Sequence, residues 1–497
     1  MSRIQTNVPS LLAQRVLNQN TRNLNQSLER LSTGYRINRG ADDPSGLIAS
    51  ENLRSEKAAI TAAIDNAERA EQVVNIAEGG LQEVNALLLE VQGLIGSSAN
   101  EAGISDAEKQ ANQLEIDSII QTIDRIAGTT SFQGTKLLNG NYDFQTSGVD
   151  ANVADLKVDA AKIPFGESRN VEVLITGEAQ KGGVVLSFGG TEVTGTNGNL
   201  FTVDITGTAG SRQFTFASGA SVADISAAVN TFSDVTGVVA SASGTALQFI
   251  SEGYGTDEFV SIDVVESAGL TGNVARLSGA VVQGTDPGTT ALADVTSPLR
   301  DEGVDIEAVI NGVRSTTKGL TARVSSDFLD VTLELKEDGN TAGPSYTAAV
   351  IDGGGANFNL GPNVNIGNQV SIGIDNVAAR NLGSIANGFL NELASGAESN
   401  VVDGDLTRGQ KIVNDAIQQV AGLRGRLGAF QKNTVGASIR SLGVAFENTS
   451  AAESSIRDTD FAEETSALTR AQVLQQSATS ILSLANSAPQ SALSLLG

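Results

Sequence analysis

Residues 60–95 read ITAAIDNAERAEQVVNIAEGGLQEVNALLLEVQGLI. Within them Ile60, Ala63, Ala67, Ala70, Val74, Ala77, Leu81, Val84, Leu88, Val91 and Ile95 alternate three and four apart with no polar interruption. That spacing is the apolar stripe of a helix packed along other helices. Its Ala-rich first half permits close approach of helix axes, and its Leu/Val half fills a wider gap.

The same period extends outward on both sides. Upstream, Leu17, Thr21, Leu24, Leu28 and Leu31 keep a 4-3-4-3 spacing. Downstream, Ile116, Ile119, Ile120, Ile123 and Ile126 predict a third helix closing at Ala127-Gly128. Near the C-terminus Val413, Ala416, Val420, Leu423, Leu427, Phe430, Thr434 and Ala437 form one stripe, and Ala467, Ala471, Leu474, Ala478, Ile481, Ala485, Ala488, Ala492 and Leu495 form another. Pro489 lies inside the last and is expected to kink or break it, because proline removes a backbone donor and crowds the preceding turn.

Between about residues 140 and 370 Gly, Thr, Ser and Val replace this pattern. FTVDI (201–205), RQFTF (212–216), LQFIS (247–251) and DVTLEL (330–335) alternate as half-buried strands do. The expected fold is therefore α+β: a long coiled-coil or bundle from the N- and C-terminal segments, carrying one or more inserted β-rich outer domains. The chain's last turns raise a further question, because Ile481, Leu482, Leu484, Leu493, Leu495 and Leu496 crowd them without a charge. Chain ends fray unless something covers them.

Composition narrows the function. The 497-residue chain carries a formal net charge of −25, against nucleic-acid or anionic-membrane partners. No apolar run approaches the ~18 residues of a membrane span, and MSRIQTNVPSLLAQR lacks a secretory signal pattern. There is no Cys, His or Trp, which removes disulfides, thiolate chemistry and the commonest general base and metal ligand. GEAQKGG (177–183) resembles a phosphate loop but has Gly183 where lysine is required. Asp458 and Asp460 lie on a helical stretch, where a structural reading outweighs a glycosidase pair. No catalytic, cofactor-binding or metal residues are expected, and no enzyme.

LSTGYRINRGADDPSGLIASENLR (31–54) reads locally as a glycine-stopped helix and a new helix capped by Asp43 and begun by Pro44. As a whole it closely resembles the N-terminal signature of bacterial flagellins. SFQGTKLLNG (131–140), LRGRLGAFQKNT (423–434), AAESSIRDTDFAEETSALTRAQVLQQ (451–476) and SLLG (494–497) resemble flagellin segments in the family's order. Residues 214–264 are similar to the β-rich insert repeat of some flagellins and hook-associated proteins.

The resemblance implies a structural subunit of the flagellar filament, exported by the flagellar type III apparatus with an export chaperone and added beneath a cap protein. Partners would be other copies of the chain, the filament cap and the hook-associated proteins. It implies coiled-coil segments at 1–44 and 456–497, core-domain halves at 45–175 and 376–455, and β-rich surface domains at 176–375. Leu17, Leu24, Leu28, Leu31, Leu474, Ile481, Leu493, Leu495 and Leu496 would form the self-assembly seam. Arg36, Arg39, Asp42, Asp43 and Pro44 would serve contacts between subunits. Leu89, Glu90, Leu94 and Glu115 would face the vertebrate innate receptor. Receptor-activating members carry Arg where this chain has Glu90, so the reversed charge predicts weak or absent recognition. A hook–filament junction protein is the nearest alternative, and a fibrous adhesin a more distant one.

Overall fold

The computed structural model describes residues 6–100, 102–164, 166–193, 200–266, 272–278, 290–291 and 298–494. Among them are eight α-helices: α1 Val8–Thr33, α2 Pro44–Ser98, α3 Asp106–Thr129, α4 Val222–Asn230, α5 Ser233–Thr236, α6 Leu406–Ala429, α7 Gly436–Arg457 and α8 Phe461–Ser494. The chain divides into two compact units.

One unit comprises residues 1–72, 358–369 and 428–497. Asn7 caps α1 by accepting the Ser10 N–H on Oδ1, and Gly34 closes the helix in the left-handed region at φ 77°, donating its N–H to the Arg30 carbonyl. Farther along, Ile60 and Ala63 of α2 bury against Leu442 of α7, with Ile64, Ala445 and Phe446 at the margin. Lys57 pairs with Glu453 beside this cluster.

A π-turn, Phe430–Val435, precedes α7 and changes the stripe predicted from 413 to 437. Val413, Ala416, Val420, Leu423, Leu427 and Phe430 are buried as expected, but the next buried residue is Val435 and Ala437 is exposed. A π-turn spends an extra residue per turn, so the face rotates out of the 3-4 register.

Pro489 also acts otherwise than its chemistry alone predicts, since α8 continues through it to Ser494. In an uninterrupted helix the Ala485 carbonyl would accept the N–H of residue 489. Here it accepts the Asn7 side-chain Nδ2–H at 2.8 Å.

The other unit comprises residues 73–357 and 370–427. Val74, Ala77, Leu81, Val84, Leu88, Val91 and Ile95 are all buried, as are Ile116, Ile119, Ile120 and Ile123 of α3 and the stripe of α6. Arg424 to Glu78 at 2.8 Å and Gln92 to Asn414 at 2.7 Å join α6 to α2, and Asn112 joins α3 to Ser98 at 2.9 Å. Glu108 reciprocates the Ser105 cap of α3 in a capping box.

Apart from short two-stranded pairs, the unit's strands form two antiparallel sandwiches, one inserted in the other. In the first, a five-stranded sheet and a four-stranded sheet enclose Val171, Val173, Ile310, Val331, Leu333 and Ile351. Between its strands Arg169–Gly177 and Glu307–Ile310 the chain builds the second. That module is again a five-stranded and a four-stranded sheet, joined by α4 around Phe201, Phe249, Leu186, Ile205 and Ile225. Entry and exit are tied together: Gln180 and Val304 exchange both backbone hydrogen bonds, at 2.8 and 2.9 Å. A Cβ at Gly303 would strike the Gly255 and Gln180 carbonyl oxygens beside this crossing. All four predicted strands are present, as Phe201–Gly207, Ser211–Phe216, Ala246–Ser251 and Leu329–Leu335.

A charge cluster built on the buried Asp159 ties α6 to the first sandwich. Arg426 pairs with Asp159 of the strand Val153–Ala161 and with Asp375 at 2.9 Å, and Lys157 reaches Asp375 at 2.8 Å. Burial lowers the Arg426 pKa to about 10. Burial, then the neighbouring Asp375 charge, raises that of Asp143.

Candidate assembly surface

Helices α1 and α8 lie side by side and antiparallel, tied along their length. Ser10 Oγ meets Asn486 Oδ1 at 2.6 Å, Asn20 Nδ2 donates to the Leu474 carbonyl at 3.2 Å, and Arg30 pairs with Glu464 at 3.5 Å. At the far end the Thr459 N–H donates to the Gly34 carbonyl at 2.9 Å and the Arg36 N–H to the Arg457 carbonyl at 2.7 Å. As one helix advances the other recedes residue for residue, so all these ties describe one register.

The facing surfaces are built from small and polar residues. Ala13, Asn20 and Ser27 of α1 are buried one heptad apart, as are Glu464, Ala471 and Ala478 of α8. Leu17, Leu24 and Leu31 are half-buried beside them. Other large apolar side chains point elsewhere: Leu28 is 48% exposed, Leu474 46%, Ile481 58% and Leu484 70%. Val8, Leu11, Leu12, Val16 and Val473 are exposed too. Leu493 belongs to α8 but its side chain is not described, and Leu495 and Leu496 lie outside the described residues. The sequence pattern selected leucines and passed over Asn20 and Ser27, since neither is apolar.

The signature turn is held within one chain. Arg36 donates a guanidinium N–H to the Ile456 carbonyl at 2.6 Å, and Arg39 pairs with Glu29 at 2.9 Å. The Asp42 carboxylate accepts the N–H groups of Asn38 and Arg39. Asp43 accepts the Gly46 N–H at 2.9 Å and the Ser45 hydroxyl at 2.8 Å, opening α2 ahead of Pro44. These two bonds hold its carboxyl below the usual range, Gly46 most. Arg457 stacks over the Tyr35 ring, 4.6 Å from its centroid.

On the other unit Leu89, Glu90 and Glu115 are exposed and Leu94 is half-buried. No described helix is long and apolar enough to cross a membrane.

Comparison with known proteins places this arrangement. The N-terminal helical region of bacterial flagellins matches residues 4–143, and the C-terminal helical region matches 410–496. The chain is 30% identical to the B-type flagellin of Pseudomonas aeruginosa over 550 residues, covering 99% of both chains. It is 30% identical to the flagellin of Salmonella muenchen over 533 residues and 28% identical to flagellin B of Vibrio cholerae over 494, again covering 99% of each. The chain belongs to the bacterial flagellins, a structural family. It is a subunit of the extracellular flagellar filament, and the junction-protein alternative is not favoured, because its relatives are flagellins across nearly the whole chain.

Proposed function

We propose that the subunit polymerises through the outward apolar faces of α1 and α8, while the small, polar surface between them only sets those faces in register. The observation that carries this reading is the inversion of the pair: Ala13, Asn20, Ser27, Ala471 and Ala478 are buried, whereas Leu28, Leu474, Ile481 and Leu484 are exposed. Each large aliphatic covered by a neighbouring copy contributes about 1.5–3 kcal/mol. One chain cannot cover them. On this reading segments 1–44 and 456–497 supply the packing surface, and the two sandwiches supply solvent-facing domains that start at the strand Phe144–Ser147, earlier than the expected 176, because the strands Val153–Ala161 and Arg169–Gly177 pair within the first sandwich.

The same face needs cover before assembly, which suits an export chaperone, and is offered again to cap and hook-associated proteins at the ends of the polymer. Arg36, Arg39, Asp42, Asp43 and Pro44 shape a rigid turn that a neighbouring subunit packs against. At Leu89, Glu90, Leu94 and Glu115, the exposed Glu90 carboxylate opposes an acidic receptor surface and gives weak or absent activation. Potent signalling by filament-free monomer in reporter cells would contradict that last point.

The direct test is the double substitution Leu474→Ser with Ile481→Ser. Seeded polymerisation is expected to fail while the thermal transition of the β-rich unit stays in place. Normal filaments would refute the reading.

A further inference from the structure

Asn7 sits where two backbone deficits meet. At the start of α1 its Oδ1 accepts the Ser10 N–H at 3.1 Å, and its carbonyl accepts the Leu11 N–H at 3.2 Å. Its Nδ2–H reaches across to the Ala485 carbonyl at 2.8 Å. That carbonyl is the one left without its helical donor by proline at position 489, since proline has no N–H. An Asn side chain has one acceptor end and one donor end, and here each end answers a different helix. Ser10 and Asn486 meet beside it at 2.6 Å, so the contact is local to this one pairing of residues.

We propose that Asn7 and Pro489 together form a register lock for the terminal pair. Proline creates a single acceptor at a defined height on α8, and the Asn7 amide fills it only when α1 and α8 are aligned as found. After a shift of one turn Nδ2 could still share a carbonyl bonded within its helix, as Asn20 shares that of Leu474, but Ala485 would be left unpaired. The site is part-buried, so an unmade bond there costs a part of the group's desolvation penalty. Because the outward faces move with the pair, the lock decides which apolar side chains a neighbouring copy meets. Asn7 is thus a positioning residue for polymerisation that touches no reacting group and need not touch the next subunit.

The test separates the two ends of the amide. Asn7→Ser keeps a capping oxygen for the Ser10 N–H but is too short to reach the Ala485 carbonyl. Pro489→Ala returns the backbone donor and frees that carbonyl from any need of Asn7. The readout is the concentration of full-length protein left unpolymerised at equilibrium with seeded filaments. For Asn7→Ser it is expected to rise about fivefold, and in the Pro489→Ala background the same change is expected to raise it by no more than about twofold. Should Asn7→Ser not polymerise at all, the double variant is expected to restore filaments. An unchanged value for Asn7→Ser, an equal rise in both backgrounds, or no filaments from either would overturn the lock.

Discussion

The inner sandwich and the α1–α8 pair solve opposite problems with the same chain. In the sandwich, Phe201, Phe249, Leu186, Ile205 and Val260 are fully buried among their own strands, so the module is complete as it stands. In the pair, the fully buried positions are Ala, Ser, Asn and Glu, and Leu28, Leu474, Ile481 and Leu484 are left in solvent. A folding unit puts its largest apolar groups inside. A pair that puts them outside is half of an interface, and its stability depends on copies of the chain.

Removing the pair should therefore separate the two behaviours most completely. A chain ending before Ala467 is expected to form no filaments and to retain the thermal transition of the β-rich unit, read by calorimetry beside a seeded polymerisation assay. Filaments from it, or loss of the transition, would break the contrast.

Within the self-sufficient unit, single substitutions should act on folding. Phe201→Ala is expected to cost about 3–5 kcal/mol in denaturant unfolding, as large-to-small changes at aromatic core positions do. Arg426→Ala leaves the buried Asp159 with only its longer contact to Arg323, 3.7 Å away, and is expected to cost about 3 kcal/mol, the low end of the range for breaking a buried pair from one side. A cost below 1 kcal/mol for either would mean that the core closes without them.

Ionic strength should act on the pair and hardly at all on the sandwich. Subunits of formal charge −25 repel as they approach, and salt screens charges beyond a Debye length of about 10 Å at 0.1 M. Elongation from seeds is expected to quicken between low and moderate salt. Equal rates would remove charge repulsion from the account.

The smallest effect concerns the cap of α2. The Asp43 carboxyl is held below its ordinary value chiefly by the Gly46 N–H and then by Ser45. A lowered folded-state pKa gives stability that is present above the unfolded value of about 3.9 and lost as pH falls through the lower folded one. Asp43→Ala should lower the melting temperature slightly at pH 7, and the deficit should shrink toward about pH 3. A deficit independent of pH would mean that the carboxylate charge plays no part.

Periodicity made the helical core legible. Every member of the 60–95 stripe is buried, because an uninterrupted 3-4 spacing leaves one face to hide. Alternation likewise located strands such as Phe201–Gly207. The readings that changed depended on contacts distant in sequence or on one extra residue in a turn. Pro489 reads locally as a break, yet α8 continues through it, and the Ala485 carbonyl left without a helical donor accepts the Asn7 amide, 478 positions away. The π-turn at Phe430–Val435 leaves no apolar signature of its own. Asn20 and Ser27 are seam residues that a hydrophobic pattern passes over, since their burial rests on close helix approach. Helix α4 had a readable start in the Ser221–Asp224 capping box, set within a run dominated by strand-like composition. The nesting of one sandwich in the other depends on which strands pair, and no local pattern encodes that.

Hydrogen exchange tests the central contrast most directly, because it reads both regions in one sample. Isolated helices depend on burying an apolar face, and ordering each backbone residue costs about 1–2 kcal/mol. In free monomer, amides of 8–33 and 461–494 should exchange rapidly while those of 201–207 and 246–251 stay protected. In filaments the terminal amides should become protected to a similar degree, with little change in the strands. Equal protection of the termini in monomer and filament would contradict the account, showing that α1 and α8 belong to the subunit's own stable core.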